Sequence, residues 1–156
     1  MTALGTRLSS LQPLAGVLAT VVSGGHTPSV NGPVQFNTSN ASFGSGITLD
    51  TSTNVGRFTL DADSNYLIVA SIKSTFVSGS GPISFQVRNL TDSAFLGVRS
   101  YHYSFNNTAT DSAQPFVMAI MNTTGGSHTM EIWLQSITGT GGNAVEDDSW
   151  CLVLKL

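Results

Sequence analysis

The sequence predicts an all-β protein built as a ten-stranded antiparallel sandwich, and three observations predict it. Clusters rich in Gly, Asn, Ser and Pro, such as "SGGHTPSVNGP", "NTSNASFGSG", "DADSN", "NTTGGS" and "TGTGGNAVEDD", cut the 156 residues into short pieces. The pieces between them carry β-type apolar patterns, either alternating or continuous over a few residues. No helix-period segment is inserted that would connect parallel strands, so the pairing is antiparallel and the fold a sandwich or barrel.

Taken in order, the runs are 16–23, 33–37, 46–50, 55–60, 65–77, 82–90, 94–105, 113–122, 127–138 and 149–156. Residues 1–15 stand apart as an N-terminal arm ahead of a single domain at 16–156. Leu8, Leu11, Leu14, Leu18 and Val21 recur there every three or four residues, but Pro13 and Gly16 interrupt a helix. In 55–60, Phe58 and Leu60 alternate with Arg57 and Thr59; in 82–90, Ile83, Phe85 and Val87 alternate with Ser84, Gln86 and Arg88. Strands of that kind have one face on the core and one in water. In "YHYSF", Tyr101, Tyr103 and Phe105 share one face of their strand. They could line a symmetry axis, stack on a sugar or fill the sandwich.

Three runs break the alternation. "YLIVASI" (66–72), "PFVMAIM" (115–121) and "WCLVL" (150–154) are apolar on both faces. On a monomer they would expose more apolar surface than the few hundred Å² that soluble proteins usually carry. Their sheet should face a partner, and a second copy of the chain is the partner expected. The interface residues predicted from the pattern are Tyr101, Tyr103, Phe116, Met118, Ile120, Trp150, Leu152 and Leu154.

The segment "GRFTLDADSNY" carries a resemblance. Gly56, Phe58 and Tyr66 are spaced as a glycine, an aromatic two residues on and a tyrosine eight residues after it. This resembles the tumour necrosis factor-like and complement C-one-q globular-head superfamily, and "SWCLVLKL" is similar to that family's closing strand. The resemblance covers about residues 16–156. It implies a TNF-like jelly roll and a homotrimer whose inner sheets pack around a threefold axis. The chain departs from the best-known members in showing no signal peptide, membrane anchor or collagen-like stalk. In that respect, and in its low charge and its wealth of Ser, Thr, Gly and Asn, it resembles the superfamily's bacteriophage virion members.

Composition excludes several other classes. Charged residues are 10% of the chain, against roughly 25% in ordinary soluble domains. The polar surface is instead built from 21 Ser, 18 Thr, 10 Asn and 16 Gly. Disorder does not follow, because 40% of residues are hydrophobic and the net charge is only -3. The basic residues are scattered singly, with no stripe to track a phosphate backbone, so nucleic acid is not an expected partner. Cys151 is the only cysteine, which excludes an intrachain disulfide and a cysteine-built zinc site, and it reads as a small buried strand residue. The stretch "TALGTRLSSLQPLAGVLATVV" is too interrupted for a signal peptide or a membrane span, so no membrane partner is expected. The sequons at Asn37, Asn40, Asn89, Asn106 and Asn122 are accordingly expected to stay unmodified.

Chemistry finds little foothold. Glu146, Asp147 and Asp148 are the acidic group that could hold calcium, although such a triplet in a Gly-rich loop reads first as a solvated turn. Asp61 and Asp63 read as turn formers. His26, His102 and His128 lack zinc spacing, and no serine sits in a Gly-x-Ser-x-Gly elbow. No catalytic set emerges, so no enzyme and no required cofactor are expected. The function expected is a virion structural protein: a trimeric decoration or cement protein that binds capsid protein and stabilises the shell, made in the host cytoplasm. The alternative is a receptor- or glycan-binding head of a viral fibre or a secreted complement-like lectin, with loops such as "NNTATDSAQ" carrying recognition.

Overall fold

Alternation along the strands sorts the side chains onto two sheets that share one core. The computed structural model describes residues 15–21, 25–76, 81–104, 111–137 and 143–156. In chain order the strands are β1 (Ala15–Thr20), β2 (Gly32–Pro33), β3 (Thr38–Phe43), β4 (Ile47–Asp50), β5 (Arg57–Leu60), β6 (Asn65–Ser71) and β7 (Ser74–Phe76). They continue as β8 (Gly81–Asn89), β9 (Ala94–Ser104), β10 (Asp111–Ala113), β11 (Phe116–Asn122), β12 (His128–Ile137), β13 (Asn143–Val145) and β14 (Trp150–Lys155). No helix occurs among the described residues, hence none long and apolar enough to cross a membrane.

The first sheet has the order β11-β6-β14-β1-β3 and the second β4-β5-β12-β8-β9, with β2 paired to β12. A small third sheet is formed by β10-β7-β13. Neighbouring strands are antiparallel. The chain passes repeatedly from one large sheet to the other, from β5 to β6, β6 to β8, β9 to β11, β11 to β12 and β12 to β14, which makes the sandwich a jelly roll. Nine of the ten predicted runs supply strands of the main paths of the two large sheets; the tenth strand there is β3, and β2 adds to the second sheet through β12.

The inward rows meet as expected. Tyr66, Ile68 and Ala70 of β6, Val117 and Met121 of β11, and Cys151 and Val153 of β14 pack against Phe58, Leu60, Ile83, Phe85, Val87, Met130 and Ile132 of the second sheet. Cys151 is fully buried, and that burial pushes its thiol well above the usual range, so it serves as core and not as a nucleophile.

Gly56, Phe58 and Tyr66 all serve this architecture. Gly56 has φ +89°, and a Cβ there would lie 2.3 Å from the Val34 carbonyl oxygen, so only glycine lets segment 34–36 cross. Phe58 fills the core from β5. The buried Tyr66 shares its hydroxyl between the carbonyls of Gly46, at 3.0 Å, and Asp61, at 3.3 Å, tying the end of β6 to the turns beside β4 and β5. Tyr66→Phe should therefore cost about 1–2 kcal/mol, read as a lower denaturant midpoint at unchanged slope.

Four predicted boundaries are corrected. Of the run 33–37 only Pro33 is in a strand; Val34 and Phe36 are buried as a plug between elements. The cluster "NTSNASFGSG", read as a turn, contains the edge strand β3. Its side chains are mostly exposed and polar, so pairing with β1 and not hydrophobic pattern makes it a strand. The run 65–77 divides into β6 and β7, and 113–122 breaks at Gln114 and Pro115. The expected arm lies, apart from Ala15 in β1, outside the described residues.

His26 pins the segment that precedes β2. Its backbone pairs with Val145, and its Nε2 accepts the backbone N–H of Gln35 at 3.0 Å. Burial holds its pKa below the ordinary 6.5, partly offset by the Pro33 carbonyl. The unfolded chain then binds a proton more readily than the folded one. Stability is complete above pH 6.5 and falls as the pH drops below it toward the folded-state pKa. The expected result is a lower urea midpoint at about pH 5 than at about pH 7.5, with a smaller difference in His26→Gln.

Candidate functional site

The outward face of the first sheet is the feature its composition least explains in a lone chain. Strand register places its side chains in three rows. Phe116, Ser71, Trp150 and Thr20 form one; Met118, Val69, Leu152, Leu18 and Ala41 the next; Ile120, Leu67, Leu154, Gly16 and Phe43 the third. None of these residues is ionisable. Phe116 is 63% exposed, Met118 60% and Ile120 68%, whereas Trp150, Leu152 and Leu154 are half-buried among their neighbours. Six of the eight predicted interface residues thus lie together on one charge-free surface.

Local packing shapes that surface. The Phe43 ring lies across Gly16, where a Cβ would come 2.5 Å from Phe43 Cε1 and 2.8 Å from Leu154 Cδ2. Phe116 and Trp150 meet edge-on at 6.1 Å, in the row of the buried Ser71, whose hydroxyl has no hydrogen-bond partner among the described residues. At the β11 edge, a bulge in β9 brings Gly97, with φ +69°, against the Met118 carbonyl. The bulge projects Val98, 77% exposed, and bounds a shallow apolar hollow of about 380 Å³ lined by Leu67, Gly97, Val98, Met118, Ala119 and Ile120.

Tyr101 and Tyr103 are elsewhere. They stand opposite Ser84 and Pro82 on the outward face of the second sheet, at its edge strand, with ring centroids 5.8 Å apart. They are 45% and 52% exposed, while the intervening His102 points inward. Pattern alone could not separate them from the other six, because it identifies a strand face without saying which sheet the strand joins.

The acidic triplet disperses. Glu146 accepts the Thr75 hydroxyl at 2.6 Å, Asp148 pairs with Lys73 at 2.6 Å, and Asp147 is exposed. Among the described residues no three His, Cys, Asp or Glu side chains group as metal ligands. His102 Nδ1 lies 2.9 Å from Ser74 Oγ. Both residues are buried, and the pair is a polar tie between β7 and β9. The second sheet carries a residue group that pattern does not reveal: Arg57 donates to the buried Glu131 at 2.9 Å beside Trp133. In the sequence, "MEIWLQ" shows only that Glu131 alternates with apolar residues.

No family model matches the chain, and no curated protein sequence matches it. Solved structures do. The globular domain of zebrafish complement 1qA protein is similar with a TM-score of 0.56 at 11% identity, over 93% of this chain and 96% of that one. Murine APRIL at pH 5.0 gives 0.61 at 11% identity, over 91% and 98%. Eiger TNF from S. frugiperda gives 0.58 at 13%, over 93% and 94%. The chain is an all-β antiparallel jelly roll with the fold of these TNF and complement heads.

Proposed function

We propose that the chain is a non-enzymatic homotrimer that attaches to a larger surface by contact area, and that this surface is a viral capsid. The observation that carries the assembly is the charge-free face in which Phe116, Met118 and Ile120 are each more than half exposed. Water-exposed apolar area of this extent favours burial against a protein surface. The second aromatic patch, Tyr101 and Tyr103, lies on the other sheet at its edge. An interface joining two different patches is head-to-tail, and head-to-tail contacts form a ring where the rotation closes. Three linked copies would grip a repeating lattice with high avidity even where each contact is weak. The neutral surface of Ser, Thr, Asn and Gly suits a protein that works by coverage and not by charge.

An antibody against the chain tests the capsid role on particles purified from lysates of its source. The chain should sediment with intact particles, and particles stripped of it should release their genome at a lower temperature. Absence of the chain from sedimented particles would exclude a role on the shell.

A further inference from the structure

The outward face of the second sheet holds a cleft of about 280 Å³. Trp133 and Glu131 of β12, Arg57 of β5, Pro33 and Gln35, and loop residues Thr53 and Asn54 define its chemistry. We propose that this cleft binds one neutral sugar ring.

Its size and charge limit what it can accept. The volume sits just under the roughly 300–1,000 Å³ of sites for drug-sized ligands, enough for a single ring and its substituents. The Glu131 side chain is 3% exposed, and Arg57 Nε donates to its Oε1 at 2.9 Å. That pairing balances the floor, so neither a cation nor an anion finds an uncompensated opposite charge there. Glu131 Oε2 and the terminal guanidinium nitrogens of Arg57 make no hydrogen bond within the described chain. A carboxylate oxygen and a guanidinium fork side by side match the paired hydroxyls of a sugar, one hydroxyl donating and its neighbour accepting.

The walls supply the remainder. The Arg88 guanidinium covers the Trp133 ring at 4.3 Å and is itself 5.3 Å from Phe95, yet neither Arg88 nor Phe95 borders the cleft. The side of the indole they cover is therefore not the side the cleft meets, which leaves an aromatic surface for the C–H face of a sugar. Gln35, Thr53 and Asn54 are exposed and bring neutral donors and acceptors to the rim.

The loop is set in advance. Asp50 accepts the backbone N–H groups of Ser52 and Thr53 on Oδ1 and that of Asn54 on Oδ2, at 2.9 to 3.0 Å. Those bonds hold its carboxyl far below the ordinary carboxylate range, so the turn keeps its shape at any ordinary pH. A rim ordered before binding loses less entropy when a ligand arrives. Strand β8 separates the cleft on β5 and β12 from the β9 edge that carries Tyr101 and Tyr103, and the apolar face lies on the other sheet, so a glycoside titration reads the site apart from the oligomeric state.

The test is a titration of the full chain with methyl glycosides of glucose, galactose, mannose and N-acetylglucosamine, following the two indole N–H signals by NMR. At least one glycoside should shift the Trp133 signal saturably, with little change at Trp150. Gln35→Ala and Asn54→Ala, both at exposed positions, should weaken that binding about tenfold each. The proposal is overturned if no glycoside shifts the Trp133 signal into the tens-of-millimolar range, or if the shift is unchanged in both variants. A larger saturable response to acetate or methylguanidinium would also overturn it.

Discussion

Replacing Met118 by glutamate should give a folded monomer in place of the proposed trimer. Met118 lies in the middle row of the charge-free face, between Phe116 and Ile120 on its own strand, and opposite Val69 on β6. Its side chain is 60% exposed in the single chain, so a carboxylate there stays solvated and the sandwich keeps its stability. In the assembly the same carboxylate would be buried without a countercharge, since no ionisable residue occurs in the three rows. An unpaired buried charge costs about 4 kcal/mol, close to a thousandfold in the dissociation constant. Light scattering should report the monomer mass, while circular dichroism and the thermal midpoint of the monomer stay near those of a dissociated wild-type chain.

Gly56→Ala should act in the opposite way, on the fold and not on assembly. The new methyl would meet the Val34 carbonyl at 2.3 Å and the Phe36 nitrogen at 2.9 Å, at a φ of +89° that L side chains rarely adopt. Both obstacles are backbone, which a rotamer change cannot move. The expected loss is about 3 kcal/mol or more by chemical denaturation. Gly126 supplies the contrast: nothing lies within 4 Å of a Cβ there. Gly126→Ala should be neutral or stabilising by about 0.5 kcal/mol.

Much of the architecture was legible because burial leaves a periodic trace. Phe58 and Leu60 face the core while Arg57 and Thr59 do not, and the unbroken runs at 66–72, 115–121 and 150–154 became adjacent strands of one sheet. β3 left no such trace. An exposed edge strand of Thr, Ser and Asn is specified by its partner β1, and that partnership is a tertiary fact.

The candidate sites show the same limit. Phe116, Met118, Ile120, Trp150, Leu152 and Leu154 could be assigned to one surface because their strands share a two-faced pattern. Tyr101 and Tyr103 have the same spacing but belong to the other sheet, and spacing cannot report sheet membership. The cleft at Glu131 depends on Arg57, 74 positions away, and on a loop shaped by Asp50. Each of those residues alone looks like an ordinary polar position of a strand or loop.

Self-association is read most directly from the solution mass of the purified chain by light scattering, repeated after chelation of divalent metal. A trimer has about three times the 16.3 kDa chain mass, unchanged by chelator and held on dilution to micromolar concentration. A stable 16.3 kDa monomer would contradict it, because the face around Met118 would then be open to water without a second copy to cover it.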